Sequence, residues 1–397
     1  MKVQAYTASQ LLALIPESLY QQLTDELAVD KWVPKMKAQY LFKLLVFGIL
    51  QTEDLSLRVL QEFSRTPALL GLAPDLFEPV TYGAIRARLI TVKVEFFAQL
   101  YHHLYDRLAK NFPLPTQQKY RLKRYDSTMV ATFAHLLDAM KVGNSSKNKR
   151  QVKFTTELTD NFLVKIAFFK DQAHLSEQRA LKEVIEGATH AKDEVVVFDL
   201  GLTCRKTFKG FSQHQTRFIT KGKQNLCYKV LQELTPVEQL PQSQELEFQG
   251  DLLVHLYGNA KQEVKEPFRL IQAQRKADGK VLYLITNLLD LEADEIARLY
   301  KQRWEIEVLF KFMKQEMNLS HFLCHDENAI EVMIYCTLIA TMLVLVYKQS
   351  NGIKSFKLAK IRFFKELHLD ILAELMENRN GIVWVKRLIE FSRVQRQ

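Results

Sequence analysis

Cysteine is scarce in this chain of 397 residues: Cys204, Cys227, Cys324 and Cys336 are the only four, and no two form a CxxC pair. A disulfide scaffold is thereby excluded, and a reduced, cytoplasmic setting fits the usage. The nearest thing to a zinc set is "HFLCHDEN" (321–328), where His321, Cys324 and His325 lack a fourth ligand. Glycine (13) and proline (10) are too few for long disordered tracts. Long hydrophobic runs are missing as well. The longest, Val332 to Val346, has 15 residues and is interrupted by Tyr335, Cys336 and Thr337. A membrane span needs ~20 residues, so this run reads as a buried helix and no membrane partner is expected. The opening "MKVQAYTASQLLALIPESL" has neither the unbroken apolar core nor the cleavage site of a signal peptide. There is no internal repeat, and "SSKNKR" (145–150) is the sole low-complexity stretch.

What is present is a globular composition, 47% hydrophobic and 25% charged. At a prior of ~150 residues per domain, the chain has room for two or three domains. Lys and Arg outnumber Asp and Glu by 55 to 45, a formal charge of +10 that favours a polyanionic partner such as nucleic acid.

Residues 1–112 carry apolar side chains at helical spacing, as in "KAQYLFKLLVFGILQ", and "NFPLPTQ" (111–117) is a hinge candidate with two prolines. The pattern then becomes strand-like in "YRLKRYDSTMVAT", "RQVKFTTELT" and "FLVKIAFF". It continues with a helix in "SEQRALKEVIEGA", a buried strand in "DEVVVFDL", a further helix and a strand in "TRFITK". That order predicts a mixed sheet with helices packed on it, an α/β (α+β) class. From 225 to 287 the text is β-rich, with a hairpin turning at Asp278-Gly279, and from 291 onward it is helical again.

Three carboxylates stand out. Asp126 lies inside the strand-like "KRYDSTMV", Asp199 ends the strand "EVVVFDLGLT", and Glu307 lies in the helical "YKQRWEIEVLFKFMK" (300–314). Taken singly, each has an ordinary structural reading: a strand-edge acid, a helix N-cap, and the middle of an Arg303–Glu307–Lys311 ladder. Taken together, two strand-borne aspartates and a helix-borne glutamate can converge on Mg²⁺ or Mn²⁺, the hard cations that suit oxygen ligands, for phosphodiester chemistry. On a continuous helix at about 100° per residue, Tyr300, Arg303, Glu307 and Lys314 share an arc about 60° wide, with Lys311 beside it.

The spacing Tyr300-x2-Arg303-x3-Glu307-x6-Lys314 resembles the YREK signature of bacterial insertion-sequence transposases of the DDE type. "YDSTMV" is similar to that family's first-aspartate strand, "VVVFDLGLT" to its second, and "RFITKGK" to the strand that follows. The blocks occur in order over about residues 54–345. The resemblance implies an RNase H-like core (113–224 and 288–345) holding Asp126, Asp199 and Glu307, with a β-rich insertion at 225–287. It implies a helical DNA-end-binding domain at 1–112 and a C-terminal helical region at 346–397. It further implies a Mg²⁺-dependent enzyme, with Mn²⁺ as substitute and no nucleotide cofactor, acting as a homodimer on the terminal inverted repeats of double-stranded DNA and on target DNA. Such a protein is bacterial and cytoplasmic, associated with the nucleoid when on DNA. An RNase H-like structure-specific endonuclease and a non-catalytic transposase-derived DNA-binding protein are the alternatives.

Tyr300, Arg303, Lys314 and Lys311 are the candidate phosphate contacts beside the carboxylates. "EDLSLRVLQEFSRTPALL" with "VTYGAIRARLITVK" resembles a helix–turn–helix carrying Arg86 and Arg88, or else a packed helical domain with solvated arginines. Lys147, Lys149, Arg150 and Lys153 in "NSSKNKRQVK" form a basic strand mouth, a DNA contact or a solvated loop. Lys265, Arg269, Arg275, Lys276 and Lys280 make the insertion basic. None of the three tryptophans, Trp32, Trp304 and Trp384, falls in the insertion, where Tyr228, Tyr257, Phe268 and Tyr283 remain as stacking candidates.

Overall fold

The computed structural model describes residues 5–72, 80–111, 119–132, 140–141, 150–159, 162–169, 172–258, 262–320, 322–324 and 326–377. The N-terminal helices are α1 (Ala8–Leu12), α2 (Glu17–Leu27), α3 (Ala38–Gln51), α4 (Leu57–Phe63), α5 (Pro67–Leu72), α6 (Tyr82–Thr91) and α7 (Val94–Asn111). Polar caps start several of them: Ser56 accepts from the Val59 amide, and Thr81 from the Ala84 amide. At the other end of the chain are α12 (Glu327–Ser350) and α13 (Phe356–Glu377). Both pack into the same core as the N-terminal helices, with Leu338, Ile339, Phe363 and Leu367 against Phe42, Phe47 and Phe97. The helices of the N-terminal segment, α12 of the segment 288–345 and α13 of the C-terminal segment therefore share one apolar interior. The physical reason is α12, which is apolar all round and has to be enclosed. By length and composition it could cross a membrane, but nearly all of its apolar window is buried among these helices.

Between the helical regions lie β1 (Arg121–Thr132), β2 (Met140–Lys141), β3 (Arg150–Thr159), β4 (Phe162–Phe169), α8 (Glu177–Glu186), β5 (Glu194–Phe198), α9 (Arg205–Gln213) and β6 (Arg217–Gly222). Next come β7 (Tyr228–Thr235), β8 (Leu246–Tyr257), β9 (Glu263–Arg275) and β10 (Val281–Thr286), then α10 (Ala293–Lys301) and α11 (Trp304–Glu316). The strands form one sheet in the order β2-β3-β1-β5-β6-β10-β9-β8-β7, with β4 also on β3. β1, β5 and β6 are parallel neighbours; β1–β3, β3–β4 and β6–β10 are antiparallel. The β-rich segment thus extends the central sheet through β10. The Asp278-Gly279 turn joins β9 to β10, with Gly279 at φ +68°, a conformation that favours glycine.

β5 explains why its sequence is an unbroken apolar run. Val196 and Phe198 pack with Leu181, Val184 and Phe208 of α8 and α9, while Val195 and Val197 pack with Ile296 and Leu299 of α10. A strand covered on both faces has no solvent side to alternate with.

Candidate active site

In β1, successive side chains alternate faces. Tyr125 enters the core on the α8 side, so Asp126 shares the opposite face with Leu122, which packs in the α10 core. The parallel register pairs Leu122 with Val195 and Arg124 with Val197. Extended by two residues, it sets Asp126 beside Asp199, just past the end of β5. Sheet geometry alone brings together two acids 73 positions apart in sequence. Each aspartate is oriented locally, Asp126 Oδ1 accepting from the Ser127 amide (2.8 Å) and Asp199 Oδ1 from the Gly201 amide (2.7 Å).

Electrostatics bear the marks of that crowding. Burial, and then the charge of Asp199, push the Asp126 carboxyl from its ordinary 3.8 up to about 7, against the pull of the Ser127 amide and Arg303. The sequence reading missed a fourth carboxylate in the group. Glu177, the first residue of α8, is raised by burial and by Asp199, and is opposed by Lys153 and Arg303. The fit is close: a Cβ on Gly201 would stand 2.5 Å from Glu177 Cδ, so a glycine after Asp199 leaves the room that Glu177 occupies. Nothing in the local text marks Glu177, which reads as a normal acidic first turn.

The segment 300–314 differs from the continuous helix that its spacing predicts. Tyr300 lies near the end of α10, and the chain tightens at Gln302–Arg303, where the Arg303 amide bonds to Tyr300 O (3.0 Å) before α11 begins. Arg303 is almost buried. Its guanidinium is 5.7 Å from the Tyr300 ring centre, and Nη2 donates to Glu307 Oε1 at 2.5 Å. Nε and Nη1 are buried with no hydrogen-bond partner among the described residues. Burial raises the Tyr300 hydroxyl, Arg303 beside it opposes the rise, and Asp199 and Glu307 add to it. Lys314 is half-buried and lowered by burial, opposed by Asp126. Lys153 is likewise lowered by burial, opposed by Glu177.

Asp126, Asp199, Glu307, Tyr300, Arg303, Lys314 and Lys153 thus belong to one electrostatic neighbourhood, together with Glu177. Lys311 is exposed on α11. Among the described residues, no three His, Cys, Asp or Glu side chains close around a single point.

Other expectations fall elsewhere. Arg86 is exposed on α6, but Arg88 is a core residue and not a DNA-facing one: its guanidinium bonds Asp30 (2.6 Å), Val29 O (3.0 Å) and Met36 O (2.9 Å). Lys147 and Lys149 lie outside the described residues, as does the Arg150 side chain. Lys153 is buried instead of lining an open strand mouth. In the insertion, Arg269 is buried against Asp251 through two bonds of 2.8 and 2.7 Å. Arg275 and Lys280 share Asp278, while Lys265 is exposed. Phe268 is fully buried and unavailable for stacking. In the zinc-like stretch, His321 and His325 are outside the described residues, and Cys324 is buried.

Comparison with known proteins finds relatives for this chain. A stretch of 157 residues, 40% of this chain, is 28% identical to "Putative transposase y4zB" of Sinorhizobium fredii and covers 43% of that protein. Another of 102 residues, 24% of the chain, is 35% identical to "Probable transposase for insertion sequence element IS5377" of Geobacillus stearothermophilus and covers 27% of it. The matches therefore span less than half the length of these relatives. Residues 118–343 match the family model described as "Transposase DDE domain", a segment holding Asp126, Asp199 and Glu307 and more than half of the 397 residues. The chain belongs to the DDE transposase domain family.

Proposed function

We propose that this chain is the transposase of a bacterial insertion sequence, an enzyme that binds the terminal inverted repeats as a homodimer, cleaves the element ends and joins them to target DNA. Asp126, Asp199 and Glu307 are its catalytic carboxylates. The observation that carries this reading is the register of β1 on β5, which leads Asp126 towards Asp199 just past the strand end, with the Asp126 carboxyl pushed up to about 7 by burial and the Asp199 charge. A fold does not keep Asp126 desolvated and facing a second acid for stability, since burial and like charge both oppose it. The strand order β4-β3-β1-β5-β6, antiparallel then parallel, supports an RNase H-like core.

The donor set is all oxygen, which fits Mg²⁺ with Mn²⁺ as a substitute. Bound to these carboxylates in the two-metal manner, such ions supply an activated attacking oxygen and a stabilised leaving oxygen. Glu307, held by Arg303 in this structure, would with Asp126 and Asp199 hold the cation, and a guanidinium no longer needed there would be available to the substrate. Arg303, with two unpartnered donors, Tyr300 and Lys314 then grip the phosphates beside the scissile bond, as the Tyr-Arg-Glu-Lys spacing implies. Direct transesterification conserves the phosphodiester bonds and needs no nucleotide cofactor.

The test is cleavage of DNA carrying the native element ends, with Mg²⁺ or Mn²⁺, by wild type and Glu307→Gln. The expected result is end cleavage and strand transfer by wild type, and binding without cleavage by the variant. Equal cutting by both removes Glu307 from the active site. Hydrolysis with no strand-transfer product points to a structure-specific endonuclease instead.

A further inference from the structure

We infer that the loop joining α2 to α3, residues 28–37, is a contact surface for double-stranded DNA, with Trp32 as its intruding side chain. The inference rests on the transposase reading and assigns DNA contacts to a segment outside the helix pair and the catalytic face.

Trp32 is 90% exposed. Its backbone lies at φ +66°, a left-handed conformation uncommon for a bulky residue, so the chain is turned to hold the indole outward. The loop beneath it is fixed. Arg88 of α6 bonds the carbonyls of Val29 and Met36 and the carboxylate of Asp30, and Asp30 Oδ1 also accepts from the Ala38 amide (2.8 Å). Val29 and Met36 are buried in the helical core. A large apolar ring on a rigid, strained base is poised to enter something.

Charge selects the partner. Lys31, Lys35 and Lys37 are exposed, and Lys31 Nζ lies 5.8 Å from the Trp32 ring centre. The loop's one acid, Asp30, is buried against Arg88, so its outer surface is cationic only. Of the three acids of neighbouring α2, Glu17 is paired with Lys43, while Asp25 and Glu26 accept from the side-chain amides of Gln21 and Gln22 on their own helix. Protein interfaces are depleted in lysine around their aromatic anchors, whereas lysines beside an exposed ring suit phosphates flanking a groove or an unstacked base. Arg86 on α6, two residues from the clamp, adds a further exposed cation.

The experiment measures equilibrium binding of the full chain to a mixed-sequence DNA duplex over a salt series. It compares wild type, Trp32→Ala, Trp32→Phe and the triple variant Lys31→Ala/Lys35→Ala/Lys37→Ala. The triple variant should lower the slope of log K against log salt by about two to three, one phosphate contact per lysine. Trp32→Ala should weaken binding roughly 5- to 100-fold with the slope unchanged, and Trp32→Phe should restore most of it. The melting temperature should stay that of wild type, since the ring touches no core. If wild type binds the duplex and the variants match it in affinity and slope, the loop assignment is wrong while the transposase reading stands. Failure of wild type to bind duplex overturns both. A mass measurement in which Trp32→Ala disrupts a dimer while DNA affinity per protomer is kept makes the face a protein interface, and overturns the inference too.

Discussion

Removing one carboxylate from the candidate active site should make this protein more stable. Asp126 ionises at 3.8 in an ordinary setting and at about 7 in the fold, because it is buried and faces Asp199. Between those two values the folded chain takes up a proton that the unfolded chain does not hold. Stability therefore falls as pH rises through this window: the penalty is absent below 3.8 and complete above about 7. A span of about three pH units at ~1.4 kcal/mol each gives about 4 kcal/mol, an upper bound because part of the group reaches solvent. The Asp126→Asn substitution removes the charge, nearly conserves the shape, and keeps an oxygen for the Ser127 amide. The variant should accordingly exceed wild type by up to about 4 kcal/mol at pH 8, with the gap narrowing towards zero as pH approaches 4. Urea denaturation with EDTA at a series of pH values reads it directly, as a midpoint that moves at constant slope. Adding Mg²⁺ should then raise wild type and leave the variant little changed. A variant that is no more stable at pH 8, or whose advantage does not vary with pH, would refute the crowding of Asp126 and Asp199.

Arg88→Ala should cost about 3–5 kcal/mol, since it strands the buried Asp30 carboxylate and two carbonyls, and Arg88→Lys should not restore the loss. A role for Arg88 in DNA contact alone predicts instead an unchanged melt and weaker DNA binding. Gly201→Ala should displace Glu177, lowering the cleavage rate while DNA affinity, read by gel shift, is kept; wild-type cleavage would remove Glu177 from the site. Arg269→Ala should lower the urea midpoint by the equivalent of about 3–5 kcal/mol, because Asp251 is left buried without its bidentate partner. An unchanged midpoint would mean that the pair is not needed to dock the β-rich segment.

Sequence periodicity located the strands well because most of them carry a local signal. "RQVKFTTELT" and "FLVKIAFF" are β3 and β4 residue for residue, and the three valines of β5 report burial on both faces. β7 was not separated from its surroundings, since it is largely exposed and lacks an apolar face. What local pattern cannot carry is partnership. Arg88 and Arg269 look like surface arginines in the text, and only the fold delivers Asp30 and Asp251 to them. Glu177 is silent for the same reason. Its charged surroundings are Asp199, Lys153 and Arg303, none within 20 positions of it.

The break at Gln302–Arg303 shows how much depends on one such departure from regularity. An uninterrupted helix would set Arg303 as one rung of an i,i+4 ladder, solvated and worth a few tenths of a kcal/mol. The tightened turn instead leaves it almost buried between the Tyr300 ring and Glu307, close enough to Asp199 to feel its charge. Two guanidinium nitrogens stay without acceptors there, a burial that costs about 1–3 kcal/mol for each unmade bond. Carboxylate fields on two sides offset part of that penalty and keep the cation in place, yet they use only one edge of the fork. On the proposed function, Nε and Nη1 are the donors left for a substrate phosphate. A lysine at this position would keep the charge and lose the second donor edge. On the proposed function, the residue type and the helix break therefore form one device, in which the chain holds a polar group under-satisfied for the substrate phosphate.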